Sequence, residues 1–332
     1  MLRKCLWGTL VLSFGLMMTT ACKPKIDESY LKSIEEWHQH RIEELKAPDG
    51  WLSLAGLYWL KEGENRFGTE PSNDVVFPIG KGAPEMGVFI LDNGRVTVTA
   101  NRDIEILHDK DSVTTLDMKS DGTGNPTLLS YGTLSWFVIE RGDQIGIRLR
   151  DSANSHIAGF QDIKRFPVSM KWHIEAQYKP YDTVKMIAVP TVLGTISESP
   201  CSGALVFEIN GRTYSLDPIT EESGGSYFII FGDESNGTET YGGGRFLSAS
   251  AAGPDGKVVL DFNKAYNPPC AFTPFATCPL PPEQNVLPIA VTAGEKTYAG
   301  GHETSGNTSS ARSAEEYKAS WESPGRKDCQ LP

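Results

Sequence analysis

Polar side chains that could do chemistry are concentrated between positions 239 and 267. An arginine, an aspartate, amides and phenols stand there at the ends of two short strand-like runs. The candidate binding residues are Tyr241, Arg245, Asp261, Asn263, Tyr266 and Asn267. A guanidinium fork beside a carboxylate, amides and aromatic rings suits a sugar, a carboxylate or a peptide end. The pattern therefore predicts a ligand-binding or interaction site. The alternative is a structural network, because buried polar groups must be paired in any case.

A hydrolase is the second functional hypothesis. Asp261 with Glu239 or Glu283 would be its general acid/base pair, and glycoside hydrolysis needs two carboxyls about 5–10 Å apart. The sequence contains no G-x-S-x-G elbow, no H-E-x-x-H and no Walker loop. We therefore assign no catalytic residue, no cofactor and no metal from the sequence.

Strand geometry predicts where these residues meet. The runs 244–248 and 257–262 flank the glycine-containing turn 252–256. If the two runs pair as antiparallel neighbours about this turn, Arg245 lies at the end where Asp261 and Asn263 emerge. We therefore expect one site, placed against the segment that follows.

That following segment, Tyr266 to Asn285, reads YNPPCAFTPFATCPLPPEQN. Its six prolines exclude a helix interior and a central strand, because each removes a backbone donor and fixes φ. We expect a rigid surface loop closed by a disulfide between Cys270 and Cys278. A metal site and a catalytic dithiol are alternatives, although the Cys-x2-Cys spacing typical of both is missing. The pairing of Cys201 and Cys329 stays open.

The elements around this region predict an all-β fold. Short runs rich in Val, Ile, Thr and aromatic residues alternate with turn residues, and Asn93-Gly94 and Asn210-Gly211 are strong hairpin signals. Apolar residues recur at helical spacing only near the N-terminus, from Ser29 to Lys46, with Ser29 as the expected N-cap. We predict two packed β-rich units, sandwich or barrel, preceded by one amphipathic helix. The predicted segments are a signal peptide (1–21), a tether (22–28), the helix (29–47), a first unit (50–165), a second unit (166–298) and a disordered tail (299–332).

The N-terminal sequence predicts the cellular location of the protein. Arg3 and Lys4 precede an uncharged apolar run from Cys5 to Met18, which is the pattern of a signal peptide. The small residues before Cys22 make this segment resemble the lipobox of bacterial lipoproteins. The resemblance implies acylation of Cys22, a membrane partner through the lipid, and a place in the cell envelope, at the outer membrane facing the periplasm.

The charge of the chain excludes one class of partner. Lys and Arg number 31 against 42 Asp and Glu, and the formal net charge is −11. Nucleic-acid binding needs clustered basic residues that displace counterions. We therefore expect no nucleic-acid partner.

Two passages carry a family resemblance. The stretch GWLSLAGLYWLKEGENRFGTEPSNDVVFP (50–78) and the signature region from ETYGGGRFL to AGEK (239–296) resemble a bacterial and archaeal family called domain of unknown function 1684. The resemblance implies domain limits near 50 and 298 and supplies no catalytic residues. Residues 62–77 are also similar to the opening strands of forkhead-associated domains, which bind phosphothreonine. Thr69 stands where those domains place a phosphate-binding Arg, so this similarity implies a sandwich without the phosphopeptide site.

Overall fold

A computed structural model describes residues 26–220 and 225–300 of the chain. The predicted signal peptide, Cys22, Cys329 and nearly all of the predicted tail lie outside the described residues. What was predicted for them therefore stays a prediction.

The first half of the described chain forms two sheets. Its strands are β1 (Leu54–Trp59), β2 (Gly63–Gly68), β3 (Val75–Val76), β4 (Gly87–Asp92), β5 (Arg95–Ala100), β6 (Ile106–His108), β7 (Asp111–Val113), β8 (Thr115–Met118), β9 (Leu129–Tyr131), β10 (Leu134–Arg141) and β11 (Gln144–Asp151). One sheet has the order β1-β11-β10-β9-β6-β7 and the other the order β3-β2-β4-β5-β8. The predicted hairpin turn between β4 and β5 is confirmed: Asn93 and Gly94 take φ values of 49° and 85°, the left-handed region that this tight turn requires.

Alternating residues of both sheets build one apolar core. Trp136 is fully buried there, and the ring of Phe67 stacks on that of Phe89 with 4.2 Å between the centroids. The buried members of this core all lie between positions 67 and 149. The other face of β10 and β11 carries Arg141, Arg148 and Arg150, since side chains alternate along a strand.

The second half contains β12 (His173–Pro190), β13 (Ile196–Ile209), β14 (Arg212–Leu216), β15 (Ile219–Thr220), β16 (Ser226–Asp233), β17 (Arg245–Ser250), β18 (Lys257–Asp261) and β19 (Val286–Leu287). These strands form one sheet in the order β14-β13-β12-β18 and another in the order β15-β16-β17, with β19 parallel to β16. A second apolar core, with its buried members between positions 172 and 293, includes residues of both sheets. The prediction of an all-β fold preceded by a helix is confirmed.

The predicted pairing of β17 with β18 is wrong. β17 pairs with β16, whereas β18 pairs with β12 in the other sheet. Leu247 of β17 and Leu260 of β18 both point into the second core, so the two strands contribute to this core from different sheets. The chain returns to β17 only after β18, where Tyr266 forms an antiparallel bridge with Phe246.

The N-terminal helix α1 spans Glu28–Lys46. Its N-cap is Asp27, whose side chain accepts from the backbone N–H of Ser29, so the predicted cap at Ser29 is displaced by two residues. The buried face of α1 consists of Ile34, His38, Arg41 and Leu45. Within the described residues, no helix combines the length and apolar character needed to cross a membrane.

The proline-rich segment 266–285 is not the surface loop that was predicted. Phe272, Thr273 and Cys278 are buried, and its ends contain short 3-10 turns at Pro269–Ala271 and Glu283–Asn285. A proline has no backbone N–H to satisfy, so a proline-rich segment can be buried with fewer unpaired donors than an ordinary loop.

Candidate functional site

Arg245 lies at the start of β17 and is fully buried. Its Nη2 atom is 2.7 Å from Asp233 Oδ2 and also donates to the carbonyl oxygen of Val291, and Nη1 donates to the carbonyl of Ala293. Asp233 Oδ1 accepts from the backbone N–H of Ser235 and of Val291. The guanidinium thus bonds the end of β16 and the backbone that follows β19.

Asp261 is not the partner of Arg245. Its Oδ1 atom accepts from Tyr30 Oη at 2.8 Å and from the backbone and side-chain nitrogens of Asn263 at 3.2 and 3.1 Å. Asn263 also bonds both backbone groups of Ser169. Burial, and then the hydrogen bond to Asp261, raise the pKa of Tyr30. This group therefore attaches the first turn of α1 to the end of β18.

Tyr266 and Asn267 meet a third set of partners. The guanidinium of Arg41 lies 4.7 Å from the ring centroid of Tyr266, and its Nη2 donates to the carbonyl oxygen of Asn267 at 2.9 Å. The backbone N–H of Asn267 donates to Glu295 Oε2 at 2.7 Å. Glu295 is fully buried, and burial raises its pKa although Arg41 opposes that shift.

Several polar atoms around Glu295 have no hydrogen-bond partner within the described residues. They are His38 Nδ1, Arg41 Nε, Asn267 Oδ1 and Glu295 Oε1. Arg41 Nε lies 3.6 Å from Glu295 Oε1, which is an ion-pair distance without hydrogen-bond geometry. Buried donors and acceptors that lack a protein partner are commonly bridged by internal water.

The six predicted residues therefore do not form one open site. Asp261 and Asn263 contact Tyr30, whereas Arg245 and Asn267 both contact Glu295: Arg245 Nη1 donates to its backbone carbonyl oxygen at 3.4 Å, and the Asn267 backbone N–H donates to Oε2. Tyr241 belongs to neither group: it is half-buried near the thiols of Cys270 and Cys278, and burial raises its pKa. The tertiary contacts add four important partners that the sequence reasoning missed: Tyr30, Arg41, Asp233 and Glu295.

Two of the missed partners carry a sequence signal. Arg41 stands at helical spacing from Ile34 and Leu45, so it lies on the face of α1 that packs inward. Asp233 closes the apolar run 227–231, and a carboxylate in such a place needs a cation or several donors.

The carboxylates named for a hydrolase are in different environments. Asp261 is buried, whereas Glu283 and Glu239 are exposed, and Glu239 Oε1 lies 3.2 Å from Lys296 Nζ. Glu239 and Glu283 therefore lack the burial that adjusts the pKa of a catalytic acid.

Cys270 and Cys278 carry free thiols in this structure, so the predicted disulfide is not formed in it. The two residues nevertheless face each other. The backbone N–H of Cys270 donates to Cys278 Sγ at 3.0 Å, and that of Cys278 donates to Cys270 Sγ at 3.4 Å. Cys201 is also a free thiol, and burial raises its pKa to about 11.

A cleft of about 580 Å³ lies on the outer face of β12, β13 and β14. Ile174 and Ala176 of β12 point into the core, so the odd-numbered residues between and beside them point outward. The polar side chains that line the cleft are Lys171, His173, Glu175, Gln177, Glu208 and Thr213. None of the six predicted binding residues lines it.

Residues 158–296 match the family described as protein of unknown function (DUF1684). This match includes the signature region 239–296 and leaves out the other quoted stretch, 50–78. The search of the curated proteins finds no match.

Solved structures also show similarity to this chain. An uncharacterized protein from gene locus rrnAC0354 of Haloarcula marismortui, solved by NMR, is 30% identical; the alignment covers 42% of this chain and 78% of that chain, with a TM-score of 0.36. A structure from work on phosphothreonine-dependent FHA domain interactions is 13% identical over 28% of this chain and 92% of that chain, with a TM-score of 0.20. These low TM-scores carry no argument about the fold.

Proposed function

The chain belongs, through residues 158–296, to the DUF1684 family of proteins of unknown function, and we propose that it is an envelope lipoprotein acting as a binding module. The cleft on the outer face of β12–β14 is the ligand site in this proposal. The signature region is the frame that holds the second unit and α1 together.

The observation that carries the binding role is the cleft itself. Its volume of about 580 Å³ lies in the range of small-ligand sites, about 300–1,000 Å³. Acids, an amide, a hydroxyl, an amine and an imidazole converge on it, and donors and acceptors are therefore both present. Such a lining suits a neutral polar ligand such as a sugar or a short peptide.

A hydrolase using Asp261 has less support. One oxygen of this carboxylate already accepts three hydrogen bonds, and the residue is buried against α1. A general acid or base must reach the proton it transfers. We therefore assign a structural role to Asp261 and the binding role to the cleft.

The lipoprotein part of the proposal rests on the N-terminal sequence and on the attachment of α1. The predicted tether leads from Cys22 directly into α1. Tyr30 and Arg41 of that helix bond to Asp261 and Asn267 of the signature region. These contacts attach α1 to the β-rich body.

The cleft is tested by binding measurements on the full chain. The probes are a neutral oligosaccharide series and a set of uncharged tripeptides, measured by calorimetry and by thermal shift. Glu208→Ala removes an exposed carboxylate of the cleft, and Glu64→Ala removes an exposed carboxylate of β2 as the matched control. We expect saturable binding of one probe class that Glu208→Ala weakens and Glu64→Ala leaves unchanged. Equal affinities in the two variants, or no binding of either class, would overturn the assignment of the cleft.

We further propose that Cys270 and Cys278 are joined in the oxidising envelope. Thiol–disulfide exchange with a small disulfide would form the Cys270–Cys278 bond, and the two thiol protons and two electrons would pass to the small disulfide, which leaves as two thiols. Support comes from the mutual N–H to Sγ contacts, which already hold the two side chains together. Mass mapping of protein purified without reductant tests this: we expect a linked peptide pair, and two alkylated thiols would contradict it.

A further inference from the structure

Two arginines of the first unit converge on one hydroxyl of the proline-rich segment. Arg141 Nε donates to Thr277 Oγ1 at 3.0 Å, and Arg148 Nη2 donates to the same oxygen at 3.1 Å. Arg141 ends β10 and Arg148 lies in β11, on the face of the sheet opposite the apolar core. Two positive charges therefore lie side by side where this sheet meets the segment 266–285.

A nearby carboxylate forms an ion pair with only one of these two arginines. Arg141 Nη2 lies 2.7 Å from Asp121 Oδ2. Arg148 is 4% exposed, makes no ion pair within the described residues, and its Nε has no hydrogen-bond partner there. The ring of Trp51, 6.0 Å away, is its aromatic neighbour. A buried guanidinium without a carboxylate is costly, because removal from water is not offset by an opposite charge.

A third arginine adds positive charge beside these two, and the carboxylate of Asp49 acts on it. Arg150 lies on the same sheet face, stacks on Phe137 at 5.0 Å and also makes no ion pair within the described part of the chain. Burial, and then the charge of Arg141, lower the pKa of Arg148 to about 10, so the guanidinium stays protonated at neutral pH. Cys278 does not supply the missing negative charge, since burial raises its thiol pKa well above the ordinary value.

We propose that Arg148 and Arg141, beside Thr277, form a binding site for a small oxyanion, a carboxylate or a phosphate group. The site is reached from the side of Arg141, whose side chain is 31% exposed. The planar guanidinium of Arg148, whose Nε has no partner within the described residues, presents donors that match the oxygens of such anions. The nitrogens of Arg141 already bond Thr277, Glu140 and Asp121, so Arg141 contributes mainly its charge. A positive site in a chain of net charge −11 also sets this place apart from the rest of the molecule. The site shares no residue with the cleft on β12–β14 and does not depend on it.

The test is anion binding by the full chain, with inorganic phosphate and acetate as separate probes against sodium chloride of equal ionic strength. We expect one or both probes to raise the melting temperature saturably, as a ligand of the folded state does. Arg148→Met should abolish this rise. Without an anion, this variant should be at least as stable as the unsubstituted chain, because it removes an uncompensated buried charge. Arg95→Met, at an exposed position of β5, is the matched control and should keep the full response.

A second variant tests the proposal if Arg148→Met does not fold. Arg148→Lys keeps the charge and loses the fork, and it should raise the Kd for the anion at least about tenfold. The proposal is overturned if phosphate and acetate act no differently from chloride. It is equally overturned if Arg148→Met and Arg95→Met respond alike, or if Arg148→Lys binds the anion with unchanged Kd.

Discussion

Arg41 of α1 donates from Nη2 to the backbone carbonyl oxygen of Asn267, across 226 residues of sequence, at 2.9 Å. The same guanidinium lies over the ring of Tyr266 and 3.6 Å from Glu295 Oε1. One side chain of the helix thus contacts two residues that the sequence placed in a binding site. Those two residues support the docking of α1.

The first prediction concerns this contact. Arg41→Met should lower the free energy of unfolding by about 3–5 kcal/mol, because it leaves Glu295 buried without its counter-charge. Urea unfolding measures the change. Lys32→Met, at an exposed position of the same helix, should stay within about 0.5 kcal/mol of the unsubstituted chain. Equal stability of the two variants would show that Arg41 does not hold the helix.

The second prediction is a pH dependence caused by Glu295. Burial raises the pKa of this carboxyl above its ordinary 4.5. The folded chain therefore keeps the proton at pH values where the unfolded chain has released it. Stability from this group is present at low pH and is lost as the pH rises from about 4.5 to the folded-state pKa.

Glu295→Gln removes this titration. The unfolding free energy of the unsubstituted chain minus that of Glu295→Gln should therefore fall with rising pH in this window and be constant above it. Urea unfolding at a series of pH values from about 4 to about 8 measures the difference. A difference that rises with pH would mean that Arg41 outweighs burial and lowers the pKa.

The third prediction separates two possible partners of Arg245. Arg245→Lys should destabilise the chain by about 1–3 kcal/mol, since lysine keeps the charge but loses the fork to Asp233 and the carbonyls in a fully buried site. Its effect should be strongly non-additive with Asp233→Asn, its direct partner. With Asp261→Asn it should be additive within about 0.5 kcal/mol. Coupling to Asp261 of the same size as to Asp233 would contradict the observed pairing.

The fourth prediction tests the lipid anchor. Cys22→Ser removes the thiol that would be acylated, so the chain should leave the membrane fraction and lose labelling by a fatty-acid probe. Cys201→Ser, which changes a buried thiol of β13, is the control and should leave both readouts unchanged. If the Cys22→Ser chain still sediments with membranes, another feature holds it there.

Local sequence determined the elements of this protein. Alternation of apolar residues predicted the strands, and Asn93-Gly94 and Asn210-Gly211 predicted two turns that the structure contains. The spacing of Ile34 and Leu45 predicted α1. These signals are local, because side-chain period and turn conformation depend on residues a few positions apart. The prolines likewise excluded a helix interior and a central strand from 266–285.

Only the tertiary structure decided the partners. From sequence, β17 and β18 were expected to be neighbours in one sheet, and Arg245 was therefore expected to lie near Asp261 and Asn263. The fold places β17 beside β16 and β18 beside β12, so Arg245 pairs with Asp233 and Asp261 pairs with Tyr30 of α1. A short turn permits the two strands that it joins to pair with each other. However, Leu247 and Leu260 can be buried in the same core equally well when their strands belong to two different sheets. Which alternative is adopted depends on packing across the whole core, and no stretch of a few residues contains that information.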